Sequence, residues 1–124
     1  VNLNINGHNT AVNVSSQASL IGLRNHVSYG SSKAAVVNIT RVSALELGEH
    51  GIRVNSVHPT AVLTEMSAFY WGRPEIGGPA LARMPLGRWA TEAEIAGPVL
   101  FLLSDVASMI TGAHLPIDGG MTCC

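Results

Sequence analysis

Residues 26–57, HVSYGSSKAAVVNITRVSALELGEHGIRVNSV, decide the fold. A helix is predicted from about residue 26 to 49, because apolar residues recur in it at helical spacing. Gly51 then ends the helix, and the β-branched residues of 52–57 predict a strand. Four residues are expected to form the buried stripe of the helix: Ala35, Ile39, Val42 and Leu45.

A short β-branched segment precedes this helix at residues 11–15 and predicts another strand. Strand, long helix and strand form a βαβ unit, whose two strands should lie parallel. Residues 1–10 are rich in Asn and are expected to be mostly loop, with at most a short extended start. Residues 17–25 are also expected to be loop.

The second half of the chain is less regular. Glycines and prolines interrupt residues 60–90, which are predicted to be a long substrate loop with short helices at 61–70 and 79–84. Thr91 and Glu94 have the spacing of a capping box, so a helix is expected from there to about residue 104, with a kink at Pro98. Its inward face should hold Ile95, Val99, Leu102 and Leu103. A strand at 111–117 and a turn at Gly119-Gly120, organised by Asp118, complete the prediction.

Composition narrows the class of protein. The 124 residues are 47% hydrophobic and 12% charged, which is typical of a single domain, or part of one, with a buried core. The net charge of -1 argues against a nucleic-acid partner, and no apolar run is long enough to span a membrane. The first residue is Val, so we expect a fragment, a processed form or an incomplete gene product. The adjacent Cys123 and Cys124 suit a reducing compartment, and a cytoplasmic location is expected.

Tyr29 and Lys33 stand four residues apart, so a helix places them on one face. A free phenol has a pKa near ~10 and exchanges protons poorly at neutral pH, but a neighbouring ammonium favours the phenolate. Ser16 precedes the tyrosine by thirteen residues, at the end of the first predicted strand. These three residues suggest the centre of a site that reduces carbonyls or oxidises alcohols.

Four segments in order resemble the short-chain dehydrogenase/reductase family. Tyr29-x-x-x-Lys33 is similar to its Y-x-x-x-K signature, and Asn13-Val14-Ser15-Ser16 to its serine-bearing strand. Residues 55–60, followed by Thr64, resemble its N-x-V-x-P-G segment, and residues 112–120 its C-terminal G-x-x-x-x-x-D-G-G turn. Finer detail, including Asn25-His26 and Tyr70-Trp71, resembles the subgroup that reduces α-dicarbonyls and L-xylulose.

The resemblance implies an α/β fold: the C-terminal half of a doubly wound parallel-sheet, Rossmann-like domain with three αβα layers. It also implies NADPH-dependent reduction of a small α-dicarbonyl or ketose, with Tyr29 as general acid, Ser16 binding the substrate oxygen and Lys33 supporting both tyrosine and ribose. The implied cofactor contacts are Asn13, Tyr29, Lys33, Pro59, Val62 and Thr64. The implied substrate contacts are Ser16, Leu23, His26 and Trp71. A homotetramer is implied for the full-length protein, and no metal site is expected.

Three departures from the family pattern matter. The sequence contains no G-x-G-x-x-G, so the usual phosphate-binding turn and the strands around it are not expected in this partial domain, residues 1–124. Val1-Asn2-Leu3 resembles the family's catalytic asparagine segment, but it stands only fourteen residues before Ser16, about half the family's spacing. Thr60 replaces the glycine that follows the proline.

Each assignment has a plainer alternative. Tyr29 and Lys33 alone would be an exposed helical pair, Ser16 an ordinary strand-end hydroxyl, and Thr64 a helix cap. His26 could cap a helix or lie in a loop, and Trp71 could be core. For the whole chain, one alternative is a truncated, non-catalytic protein that only associates with full-length subunits. The other is a short-chain dehydrogenase acting on a steroid or an acyl ketone.

Overall fold

The computed structural model describes residues 2–5 and 8–123. One four-stranded sheet has the order β1-β2-β3-β4, which is also the order along the chain. The strands are β1 (Asn2–Ile5), β2 (His8–Val14), β3 (Arg53–Pro59) and β4 (His114–Ile117). The helices are α1 (Val27–Leu47), α2 (Glu65–Trp71), α3 (Pro74–Leu81) and α4 (Glu92–Leu103), with short 3-10 turns at Gln17–Ser19, Gly48–His50 and Asp105–Ala107.

The predicted βαβ unit is confirmed. β2 and β3 are parallel with Val14 opposite Val57, and β4 continues the parallel sheet beside β3. Helix α1 connects β2 to β3, as the periodicity indicated. The parallel sheet with flanking helices is the predicted fold class.

The prediction of loop over residues 1–10 is wrong. Strand β1 pairs antiparallel with β2, and β2 begins at His8, three residues earlier than predicted. The ladder gives backbone N–H and C=O groups at the sheet edge their partners, which outweighs the weak strand propensity of asparagine. Asn2 lies opposite Ala11 in this ladder, and Ala11 is the residue five positions before Ser16. Residues 1, 6, 7 and 124 lie outside the described part of the chain.

Alternation along β2 shows that the helices cover both faces of the sheet. Val12 belongs to a buried cluster with Leu102 and Leu103 of α4. The side chain of the next residue, Asn13, donates a hydrogen bond from Nδ2 to Thr40 Oγ1 of α1, over 2.9 Å. Because neighbouring strand residues face opposite ways, α4 and α1 lie on opposite sides, which gives the three predicted layers. Ile95 and Val99 of α4 are half-buried, as its predicted inward face requires.

The predicted buried stripe of α1 is wrong. Ala35, Ile39, Val42 and Leu45 are all exposed, and Leu45 keeps 82% of its surface. The buried residues of this helix are Val37, Thr40 and Ala44. Thr40 faces the sheet and accepts a hydrogen bond from Asn13, and Ala44 lies beside Gly112 in the loop that precedes β4.

The two short helices between β3 and α4 form with different bounds from those predicted. Helix α2 begins only at Glu65, because Thr64 caps it by accepting from Ser67 N. Helix α3 begins at Pro74, at the position where proline is well tolerated, and ends before the predicted 79–84 segment is complete. The capping box of Thr91 and Glu94 is confirmed at the start of α4, which continues through Pro98.

Arg53 joins the end of α4 to the start of β3. Its guanidinium donates to the carbonyl oxygens of Leu102 at 2.9 Å, Ile110 at 3.1 Å and Ser104 at 3.1 Å. The Leu102 and Ser104 carbonyls lie at the end of α4 and have no helical partners of their own, while Ile110 lies in the segment that leads to β4. Buried Asn55 fixes the same segment, donating to Ile110 O at 2.8 Å and accepting from Ala113 N at 3.0 Å. Asp118 organises the following turn, as predicted, by accepting from Gly120 N and Thr122 N.

We predict that Arg53→Met lowers the free energy of unfolding by about 2–3 kcal/mol, because three carbonyl groups lose a charged donor. Urea denaturation followed by circular dichroism measures the change. The matched control is Arg83→Met, an exposed arginine at the end of α3, which should leave stability within about 0.5 kcal/mol. Equal losses in the two variants would contradict the role given to Arg53.

Candidate active site

A cavity of about 590 Å³ opens at the carboxyl ends of β2 and β3. Ligands of open parallel sheets bind at this edge, because loops that follow the strands converge there. Seven of the residues predicted for catalysis, substrate or cofactor line it: Ser16, Leu23, His26, Tyr29, Lys33, Pro59 and Trp71. The structure therefore brings the three proposed catalytic residues to one cavity.

Ser16 is placed by the end of β2. Ser15 extends the strand by donating its backbone N–H to Val57 O at 2.9 Å, and its hydroxyl donates to Lys33 O at 2.8 Å. Ser16 itself is extended and caps the Gln17–Ser19 turn, where its Oγ accepts from Ala18 N at 3.2 Å. A hydroxyl that accepts from an amide still has its own proton to donate, so it can bind a carbonyl oxygen at the cavity wall.

Tyr29 and Lys33 lie in the first two turns of α1, on the side facing the cavity. Lys33 Nζ is 5.7 Å from the centre of the Tyr29 ring and donates to Val14 O at 3.3 Å. This bond fixes the ammonium between the strand end and the phenol. Tyr29 keeps 46% of its surface exposed, so the phenol is open to solvent.

His26 lies at the N-cap position of α1, but its side chain makes no capping bond. Its Nδ1 donates to Arg24 O at 2.7 Å, and its ring meets the Tyr29 ring edge-on with centroids 6.0 Å apart. The preceding Asn25 has a φ of 64°, a left-handed conformation that Asn tolerates better than most residues. This turn directs the chain so that His26 and Leu23 both face the cavity.

Trp71 forms the opposite wall, at the end of α2. Its ring centre is 5.5 Å from that of Trp89 and 5.1 Å from that of Tyr70. Gly77 of α3 lies against it so closely that a Cβ there would come within 2.2 Å of Trp71 O. The indole is therefore held by aromatic contacts and by a helix that approaches its backbone.

Three residues predicted to hold the cofactor do not line this cavity. Asn13 is engaged with Thr40 beneath α1, and Val62 pairs with Ala90 in an isolated bridge. The Thr64 hydroxyl caps α2 and faces a neighbouring cavity of about 750 Å³ together with Trp89. Their roles toward a cofactor stay predictions.

Sequence reasoning missed three polar residues of the cavity: Gln17, Asn25 and Thr60. Within the described part of the chain, Gln17 Oε1 and Thr60 Oγ1 are buried and make no hydrogen bond. The only signal for them was position, since Gln17 directly follows Ser16, Thr60 follows Pro59 and Asn25 precedes His26. Such atoms are costly to leave unpaired, and they suit a cavity whose ligand carries polar groups.

His58 was also missed, and it lies behind Ser16. Burial lowers its pKa below the ordinary 6.5, although a hydrogen bond to the Ser16 carbonyl raises it. Burial lowers the pKa of His114, and the positive charge of Arg41 and the repulsion that a protonated His58 would exert lower it further. Both imidazoles are therefore neutral at neutral pH.

Residues 2–5 and 8–123 contain neither a cluster of metal ligands nor a helix that could span a membrane. No group of three or more His, Cys, Asp or Glu side chains in these ranges could hold a metal ion. No helix in them has the length and apolar character needed to cross a membrane.

In comparisons with known proteins, both the family model and the curated relatives that match this chain are reductases. A family model described as enoyl-(acyl carrier protein) reductase matches residues 3–122. The chain is similar to an L-xylulose reductase of Bos taurus, with 51% identity over 88% of this chain and 45% of the relative. It is 47% identical to a D-erythrulose reductase of Gallus gallus over 88% of this chain and 44% of the relative. The chain thus spans about half the length of these curated relatives.

Solved structures of dehydrogenases also superpose on this chain. A putative 2-deoxy-D-gluconate 3-dehydrogenase from Agrobacterium tumefaciens with bound NADP superposes with a TM-score of 0.88 and 32% identity, covering 93% of this chain and 47% of that one. A 4-hydroxyisoleucine dehydrogenase complexed with NADH has a TM-score of 0.88 and 31% identity, with the same coverage of 93% and 47%.

The lowered pKa values of His58 and His114 predict an acid-sensitive fold. The unfolded chain binds protons at these sites more readily than the folded chain, so their contribution to stability is present above pH 6.5 and is lost as the pH falls below it. The free energy of unfolding, measured by urea denaturation, should therefore fall as the pH drops below 6.5.

The double variant His58→Asn/His114→Asn removes both titrating groups and should flatten the slope of stability against pH in this range. His50→Asn is the matched control, because His50 is exposed at the end of α1 and should leave the slope unchanged. A double variant as acid-sensitive as the natural chain would rule out these two histidines as the cause.

Proposed function

Because the chain belongs to the short-chain dehydrogenase/reductase family, we propose that it carries the proton-transfer part of an NADPH-dependent carbonyl reductase for α-dicarbonyls and ketoses such as L-xylulose. The observation that carries this proposal is the convergence of Ser16, Tyr29 and Lys33 on one cavity. The named activities of the bovine and chicken relatives support this substrate class.

The cavity fits the nicotinamide end of such a cofactor. It lies at the carboxyl edge of the parallel strands and has unpaired polar atoms on Gln17 and Thr60. Lys33 and Tyr29 would hold the ribose and Pro59 would contact the ring, with Asn13, Val62 and Thr64 as further predicted contacts. When bound, the cofactor supplies the hydride. One solved relative holds NADP and another NADH, so the preference for NADPH is part of the proposal.

The chain's own residues provide the proton and the orientation. Ser16 Oγ donates a hydrogen bond to the substrate carbonyl oxygen and polarises it. Tyr29 Oη transfers its proton to that oxygen, and the O–H bond of the product alcohol forms as the phenolic O–H bond breaks. The Lys33 ammonium, held by Val14 O, faces the phenolate that remains. Leu23, His26 and Trp71 enclose a small substrate from two sides.

The proposal also covers how much of the domain is present. We infer that residues 1–124 correspond to a partial domain without the dinucleotide-binding strands, because the sequence contains no G-x-G-x-x-G and spans 44–45% of the two relatives. The cytoplasmic location predicted from the adjacent cysteines belongs to the same proposal.

One observation favours a second candidate function, that of a non-catalytic chain which associates with full-length subunits. The outer face of α1 exposes Ile39, Val42 and Leu45. Exposed apolar faces of this kind usually mark protein–protein contacts. This face would form the helix–helix contact of the proposed tetramer.

The first experiment separates the two functions. The chain is titrated with NADPH and followed by fluorescence, and reduction of diacetyl and L-xylulose is then assayed. Binding together with turnover would support catalysis by this chain. Tyr29→Phe should lower kcat by about 10²–10⁴-fold, because the phenol is the proton donor. Tyr70→Phe is the matched control, since the hydroxyl of Tyr70 lies outside the cavity. Absence of both binding and turnover would rule out catalysis by this chain.

The second experiment tests association. Leu45→Glu places a charge on the exposed face of α1 and should shift the chain to a smaller species in analytical ultracentrifugation. Val106→Glu is the control, because Val106 is equally exposed at 82% and lies outside α1. A chain that is monomeric without either substitution would contradict association through α1.

A further inference from the structure

Behind the turn that carries Ser16, four side chains form a continuous chain of hydrogen bonds along one face of β3 and β4. Ser19 Oγ is 2.8 Å from His58 Nδ1, His58 Nε2 is 2.8 Å from Ser56 Oγ, and Ser56 Oγ is 2.7 Å from His114 Nδ1. Both Ser56 and His58 are completely buried. We propose that His58 is a positioning residue, which holds the Ser16 turn in place for the reaction proposed above.

At the end nearest the Ser16 turn, the hydrogen-bond chain fixes the backbone of Ser16. The Ser16 carbonyl accepts from Ser19 N at 3.0 Å, Ser19 Oγ at 2.6 Å and His58 Nδ1 at 3.3 Å. The Ser16 hydroxyl, in turn, is oriented by the amide of Ala18 in the same turn. An imidazole on a central strand therefore anchors the residue whose hydroxyl faces the cavity.

The carbonyl determines which nitrogen of His58 carries the proton. A carbonyl oxygen only accepts, so the nitrogen facing Ser16 must donate, and His58 is the Nδ1–H tautomer. Ser19 Oγ donates to Ser16 O and accepts from His58, while His58 Nε2 accepts from Ser56 Oγ. Ser56 then has no second proton for His114, so His114 Nδ1 must donate to Ser56.

His114, at the far end of the hydrogen-bond chain, agrees with this direction of proton donation. His114 Nε2 is then the unprotonated nitrogen, and within the described residues it is buried and makes no hydrogen bond. Every donation along the chain therefore runs from His114 toward Ser16. The His58 and His114 rings meet edge-on with centroids 5.6 Å apart, which keeps both imidazoles in place.

A pair of substitutions separates positioning from general support of the fold. The Asn amide nitrogen matches His Nδ1 in its distance from the backbone, so His58→Asn keeps the donor toward Ser16 and loses the contact with Ser56. The Gln amide oxygen reaches as far from the backbone as His Nε2, so His58→Gln keeps an acceptor for Ser56 Oγ and loses the donor toward Ser16. His114→Gln, at the far end of the chain, is the control.

The experiment uses the 124-residue chain without cofactor. Long-range ¹H–¹⁵N spectra at neutral pH are expected to show the Nδ1–H tautomer for His58. Amide hydrogen exchange should be about five- to tenfold faster at Ala18 and Ser19 in His58→Gln, while His58→Asn and His114→Gln stay near the natural rate there. If a His58 variant fails to fold, Ser19→Ala provides the test in its place. It keeps both imidazoles and should also accelerate amide exchange at Ala18.

The Nε2–H tautomer, or equal exchange at Ala18 in the Asn and Gln variants, would overturn the proposal. Both measurements are made without NADPH or a carbonyl substrate. A chain that shows the expected tautomer and exchange pattern but reduces nothing would therefore retain the positioning role and refute the proposed reaction.

Discussion

The parallel register of β2 and β3 is the constraint on which the rest of the structure depends. Val14, the last residue of β2, lies opposite Val57, Ser15 adds one more bond to Val57 O, and β3 runs two residues further to Pro59. The turn at Ser16 and the segment at Pro59 therefore leave the sheet side by side. Helix α1, which must connect these strands on one face, begins beside the same edge and brings Tyr29 and Lys33 with it.

Polar contacts inside the layers maintain this arrangement as much as apolar packing does. Asn13 meets Thr40 between the sheet and α1, while Asn55 and Arg53 hold the segment that leads into β4. Each of these contacts is directional, whereas burial of apolar surface is not. The apolar cluster of Val12, Val57, Leu102 and Leu103 thus stabilises the sheet, and the polar contacts determine how the helices lie on it.

Periodicity predicted the βαβ unit, and motif order, through its resemblance to a known family, predicted the fold class and seven of the residues that line the cavity. The orientation of α1 could not be predicted in the same way. Ile39, Val42 and Leu45 have the spacing of a core stripe, but Asn13 of β2 and Gly112 of the loop before β4 lie next to Thr40 and Ala44 instead. Strand β1 was missed because edge pairing overrides local propensity. The role of His58 depends on Ser19 and Ser56 meeting in space, which no spacing in the sequence reveals.

The exposure of Tyr29 has a consequence for proton supply. A buried acid that has given up its proton needs a conduit of side chains or ordered waters to recover it. Almost half of the Tyr29 surface is open, so bulk water can return a proton to the phenol directly. Under the proposed function, solvent and buffer would recharge the acid, and the protein would need to supply only the residues that hold the phenol in place.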